Sequence, residues 1–234
     1  IRCSTVGWEM CIRDRMRRNV RLEDISDGKL YTAQDMVRAD CRGCQGCSAC
    51  CQGMGSSILL DPRDIWLLTK GTGKDFEGLL AEHAELVLSD GIVLPCLRMA
   101  GTEETCTFLD REGRCSIHPF RPGICRMFPL GRYYEETGFR YFLQVHECPK
   151  KDRTKVRVRS WLAIPDLKRY ETYIFDWHSF LKVCERESEG LDGDSLKILQ
   201  MYLLRAFYQT PWDGEDFYGE FYRRLALVKE KLGL

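Results

Sequence analysis

The chain has 234 residues, 44% of them hydrophobic, with Lys+Arg and Asp+Glu balanced at 35 each. A chain of that length buries its own core without covalent staples, and zero formal charge leaves no electrostatic footprint for nucleic acid. No apolar run approaches the roughly 20 residues that span a bilayer and no secretory signal is visible, so no nucleic-acid or membrane partner is expected, and a protein partner stays open.

In chain order, the first fifteen residues read as a non-native segment. Met10 to Arg15, MCIRDR, matches the conceptual translation of a sequencing-library adapter, and Met16, followed by basic Arg17 and Arg18, reads as the true start. Cys3 and Cys11 are set aside on that ground. Residues 16–40 read as an N-terminal arm with a short helix over residues 33–38. The string CRGCQGCSACC follows, with Cys41, Cys44, Cys47, Cys50 and Cys51. Gly43, Gly46, Ser48 and Ala49 separate its thiols with small side chains, which let the backbone curl and aim N–H groups at sulfur.

Asp61, Pro62 and Asp64 mark a helix start, Ile65, Leu67 and Leu68 its buried face, and Gly71 its end. A second helix is expected over residues 74–89, because Phe76, Leu79, Leu80, His83, Leu86 and Val87 recur at three- and four-residue spacing, with Gly91 closing the segment. Residues 92–99 read as a strand. Residues 107–109 and 115–117 read as a hairpin about Asp110 to Gly113, and residues 133–134 and 139–145 as another about Glu135 to Gly138. Residues 150–159 are strongly basic and read as a linker or solvated edge.

From Pro165 onward three amphipathic helices are expected, with faces such as Tyr170–Ile174–Trp177, Leu199–Leu203–Phe207 and Phe217–Phe221–Leu225. Their breaks fall at residues 190–193 and 211–214. The fold class is α+β: a small cysteine-rich metal-binding domain over residues 41–150, with short hairpins and helices, and a C-terminal helical region over residues 151–234.

The thirteen cysteines carry the chemistry. Their count is odd, and bridges between close neighbours are strained, so reduced thiols in the cytoplasm holding a metal are the better reading. From Cys44 the spacing is C-x2-C-x2-C-C. Zn2+ takes four tetrahedral N/S ligands, whereas an iron–sulfur cluster takes about four thiolates, often two residues apart. The spacing is closer to iron–sulfur runs than to zinc fingers, and zinc remains the alternative. The adjacent Cys50 and Cys51 point apart on an extended chain, so they serve one site only if the backbone is tightly turned there. A second group comprises Cys96, Cys106, Cys115, Cys125 and Cys148. In a regular hairpin Cys115 would oppose Asp110 and stand roughly 13 Å from Cys106 at about 3.3 Å per residue; either the hairpin is irregular or the two serve different centres.

The stretch from Cys106 to Arg126, CTFLDREGRCSIHPFRPGICR, together with Cys44-x2-Cys47-x2-Cys50-Cys51, resembles the paired signatures of the YkgJ-type cysteine-cluster family, described as zinc- or iron-chelating CxxCxxCC proteins. More distantly the chain is similar to flagellin lysine-N-methylases. The resemblance covers about residues 40–150. It implies a metal or iron–sulfur site built from these cysteines, with Cys44, Cys47, Cys50, Cys51, Cys106, Cys115, Cys125 and Cys148 as the expected ligands. It assigns no substrate and leaves three functions open: metal chelation or handling, a cluster-dependent enzyme like the methylases, and a structural zinc module that presents helices to a partner.

His118 stands where the family has Tyr and reads as filling that aromatic slot rather than as a ligand. Cys41 is an addition to the motif. Cys148 reads as closing the site, and Cys184, on a helical apolar face, as core. Arg114, Arg121 and Arg126 flank thiolates, where guanidiniums would offset the charge of an anionic centre; the alternative is an anionic substrate pocket. Pro122 biases Arg121 to an extended backbone. His83 and His178 read as core or surface groups, and Gly71-Thr72-Gly73-Lys74 lacks the spacing of a phosphate loop.

Overall fold

The computed structural model describes residues 10–11 (backbone only), 21–41, 47–212 and 214–234. Cys44, and the adapter reading apart from the Met10–Cys11 backbone, lie outside them. The architecture is α+β. A four-stranded antiparallel sheet runs in the order β1 (Met10–Cys11), β8 (Leu130–Glu135), β9 (Gly138–Gln144), β2 (Ser26–Tyr31). β8 and β9 form the expected hairpin, in register from Leu130↔Leu143 to Glu135↔Gly138.

The segment read as an arm is part of this framework. A four-residue helix, α1 (Leu22–Ile25), leads into β2, and β3 (Met36–Asp40) pairs with β10 (Thr154–Arg157). The helix expected over residues 33–38 is absent: Asp35 accepts hydrogen bonds from the Thr32 amide and hydroxyl, closing a turn instead. The basic stretch read as a linker or solvated edge supplies β10, a mostly exposed strand of a two-stranded sheet in which Val156 finds Val37 across the ladder.

Helix α2 (Pro62–Thr72) starts as its residues dictate: the Asp61 carboxylate accepts from the Asp64 amide at 2.9 Å, and Asp64 accepts from the Asp61 amide at 3.2 Å. It ends at Gly73 with φ 70°, not at Gly71. Gly71 stays helical because Phe120 crosses there; a Cβ would lie 2.5 Å from the Phe120 ring.

Helix α3 (Phe76–Glu82) is shorter than expected, and residues 84–89 are a strand, β4 (Ala84–Ser89), paired with β5 (Ile92–Leu97) through Asp90 and Gly91, both at positive φ. Leu86 and Leu88 face solvent, so the run is an alternating strand rather than a continuation of the helical stripe. β6 (Met99–Ala100) pairs with β7 (Thr105–Cys106). Helix α4 (Gly123–Met127) leads into β8.

After α5 (Val158–Leu162) come the three long helices, α6 (Leu167–Ser188), α7 (Gly193–Leu204) and α8 (Phe217–Leu232), with a wide turn over Arg205–Gln209 between the last two. Their interface is aromatic: Trp177 meets Phe207 edge-on at 4.9 Å, and Tyr173 meets Phe221 at 4.6 Å. Polar contacts join them to the rest. The Tyr173 hydroxyl donates to Asp61 at 2.9 Å and accepts from the Arg63 amide, and the Tyr208 hydroxyl donates to the Leu60 carbonyl. Buried side chains of both regions form one continuous core.

Candidate metal centre

Three stretches build the site. In the first, Ala49–Cys51 form a single tight helical turn, closed by the Cys51 amide donating to the Ser48 carbonyl at 2.8 Å. That curl meets the condition for Cys50 and Cys51 to face one place. The turn is fixed against β7 by a bridge from Gln52 to Thr105 and a hydrogen bond from the Gly53 amide to the Glu104 carbonyl.

The second stretch is irregular where a hairpin was expected. The chain reverses immediately after β7, with the Leu109 amide donating to the Cys106 carbonyl at 2.9 Å, and only Leu109 bridges Cys115. Cys115 therefore opposes Leu109 rather than Asp110. The Asp110 carboxylate holds the connecting loop by accepting from the Glu112 and Arg114 amides. The turn at Cys106 removes the separation that a regular ladder would impose.

In the third stretch, His118–Phe120 make one tight turn, and Arg121 and Pro122 run extended into α4, which carries Cys125. The start of α4 is held by Asp64, whose carboxylate accepts from the Gly123 amide at 2.8 Å. Gly123 must lack a side chain, since a Cβ would lie 2.2 Å from the Tyr170 hydroxyl. The end of α4 is held by the Trp161 indole N–H, which donates to the Met127 and Phe128 carbonyls.

Cys47, Cys50, Cys51, Cys106, Cys115 and Cys125 line one cavity of about 110 Å3, against the roughly 10–15 Å3 that admits one water on the same measure. Cys50 stands close enough to raise the proton affinity of Cys51, Cys106, Cys115 and Cys125. A hydrogen bond with Cys50, then burial, pushes the Cys51 thiol up; burial dominates for Cys106, Cys115 and Cys125. These are desolvated thiols, crowded so that one ionising opposes the next.

No disulfide joins the described cysteines to one another. No three His, Cys, Asp or Glu side chains among the described residues stand in metal-ligating geometry as they are. The donor set nonetheless fits a soft cation, whose charge offsets the cost of stripping protons from neighbouring thiols. One buried group points the same way. The Arg121 Nε beside Cys115 has no hydrogen-bond acceptor, a cost removed when the thiols become thiolates.

Arg114, Arg121 and His118 line the cavity, and burial together with Arg121, Arg126 and Arg114 holds the His118 imidazole below its ordinary value. Arg126 does not line it; its guanidinium donates to the Pro119 carbonyl and borders a separate groove. Cys148 is also outside the lining. Its thiol feels Cys41, Cys47 and Arg153, so it belongs to a second grouping at the edge of the first. Cys96, fully buried on β5, donates to Glu85, and Cys184 is buried in the helical core, its thiol pushed by burial up to about 12. His83 stacks on Phe108 and bonds Thr107, and His178 stacks on Tyr134; neither lines the thiol cavity. Sequence reasoning missed Gln144, which lines the cavity from β9 with its Oε1 buried and unpartnered; a lone amide ending the apolar run Phe142-Leu143 was the available signal.

Residues 43–153 match the CxxCxxCC family model, described as "Putative zinc- or iron-chelating domain". That stretch is similar to the CxxCxxCC domain. The match begins just before Cys44 and ends at Arg153, so it takes in all three cavity-forming stretches and Cys148, but neither Cys41 nor the long helices. No curated protein and no solved structure matched the chain. Among the described residues no helix is long and apolar enough to cross a membrane.

Proposed function

We propose that the CxxCxxCC domain holds an iron–sulfur cluster at the thiol cavity, with ligands drawn from Cys50, Cys51, Cys106, Cys115 and Cys125. Cys47 lies at its edge, and Cys44 and Cys148 are the remaining ligands that the motif implies. The observation that carries this reading is the convergence of thiols from three separated stretches on a space larger than a single ion needs. A tetrahedral zinc site closes on four sulfurs at about 2.3 Å and leaves no such room. Arg114 and Arg121 on the wall would offset the negative charge of the thiolate centre and donate hydrogen bonds to its sulfurs.

The role is metal binding by the protein's own thiolates; the bound centre would supply redox or Lewis-acid chemistry, and this chain's residues would hold it, desolvate it and balance its charge. The second reading is a structural zinc site, favoured by the pairing of each thiol-bearing turn with backbone anchors rather than with an open mouth. Protein purified without oxygen separates them. Iron with acid-labile sulfide and broad absorbance near about 400 nm is expected for the cluster; stoichiometric zinc with no visible colour overturns it.

A further inference from the structure

On the far side of the turn at His118–Phe120 from the thiol cavity lies an open groove of about 530 Å3. Its walls include Arg63, Trp66, Arg126, Arg169 and Tyr218. Arg63 is the decisive group. It is 9% exposed, and its Nε is buried without an acceptor. The two carboxylates nearest in sequence favour its charge without accepting from its Nε: Asp61 accepts from Asp64 and Tyr173, and Asp64 accepts from Gly123 and Asp61. Arg63 rests instead over the rings of Tyr170 and Tyr218, at 5.2 and 5.9 Å.

Two more buried polar atoms share the groove's walls, the Trp66 indole N–H, which has no hydrogen-bond partner, and the Tyr218 hydroxyl, whose oxygen lies beside the Arg63 guanidinium with its own proton unplaced. Every one of these three groups can donate a proton, and two can only donate. Arg126 adds a second cation, close enough to Arg63 that each disfavours the other's charge. The acidic groups at the rim do not answer this demand. Asp216 pairs with Arg169 at 3.0 Å and caps α8, Asp166 caps α6, and Glu215 is exposed to solvent.

A buried guanidinium Nε without an acceptor, beside a buried indole N–H in the same state, costs stability unless an acceptor arrives. We infer that this groove binds a small ligand with an apolar body and an oxyanion head, phosphate or carboxylate, the head meeting Arg63, Trp66 and Tyr218. Apolar contact comes from Phe120 and Phe217 on the same walls. The inference uses no thiol and stands whether the metal centre holds iron or zinc.

Calorimetry on the full metal-loaded chain with phenyl phosphate, benzoate and phenol tests it. At least one of the two anions is expected to bind roughly tenfold or more tightly than phenol, and the tighter of them identifies the head group. Tyr218→Phe and Trp66→Phe each remove one donor while keeping a ring, and are expected to weaken that anion by about three- to tenfold; Arg63→Gln should weaken it more. Metal content of each variant should equal that of the parent. Anions binding no better than phenol, or an affinity untouched by both Tyr218→Phe and Trp66→Phe, would overturn the inference, and those two variants keep the test intact if Arg63→Gln does not fold.

Discussion

The thiol-bearing segment and the C-terminal helices solve the same packing problem by different means. Around the cavity the chain advances in pieces of two to five residues, β6, β7, the two tight turns and α4, and each is pinned by one or two backbone hydrogen bonds. The helical part uses elements of 22, 12 and 16 residues that interlock Tyr173, Trp177, Phe180, Phe207 and Phe221. Short pieces bury little apolar area apiece, so a core of thiols needs a bond stronger than hydrocarbon contact to hold its shape. Long amphipathic helices need none. On the proposed function the dividing line is what each region gains from desolvation: hydrophobic free energy in the helices, and metal-binding free energy added to it around the cysteines.

That contrast can be broken from the helical side. Phe221 is fully buried among five aromatic neighbours, so Phe221→Ala should cost about 3–5 kcal/mol in urea unfolding while leaving metal content unchanged. A loss of metal in parallel would show that the two regions are energetically one. A smaller effect concerns pH. Burial, with Lys182 and Arg132 nearby, holds the His178 imidazole down to about 4. The unfolded chain takes up that proton near the ordinary value of about 6.5 while the folded one resists it. Stability from this group is therefore complete above about pH 6.5 and drains away as pH falls towards 4, by about 3 kcal/mol. Unfolding followed from pH 7 to pH 4 should show His178→Phe flatter than the parent by that amount; parallel curves would mean the imidazole is not held neutral.

Much of the site was legible because its signals are local. Cysteine spacing picked out the residues that meet at the cavity, and the Asp61-Pro62-Asp64 cap announced α2. What escaped was pairing between distant segments. Nothing within MVRAD says that Asp40 will lie opposite Thr154, more than a hundred residues away, so part of the arm looked like a short helix and the basic stretch like a linker or solvated edge. AELVLS satisfies both helical and strand spacing in part, and only its partner β5 decides. Cys148, expected to close the site, stands beside Cys41 and Cys47, and Cys47 also lines the cavity.

Metal content of two cysteine variants, read by elemental analysis after preparation without oxygen, tests the central claim most directly. Cys125 sits on α4 against the other thiols, and Cys184 is a fully buried thiol in the helical core. The account predicts that Cys125→Ala comes out with little or no bound metal, and that Cys184→Ala retains the parental amount. Full occupancy in Cys125→Ala would contradict it.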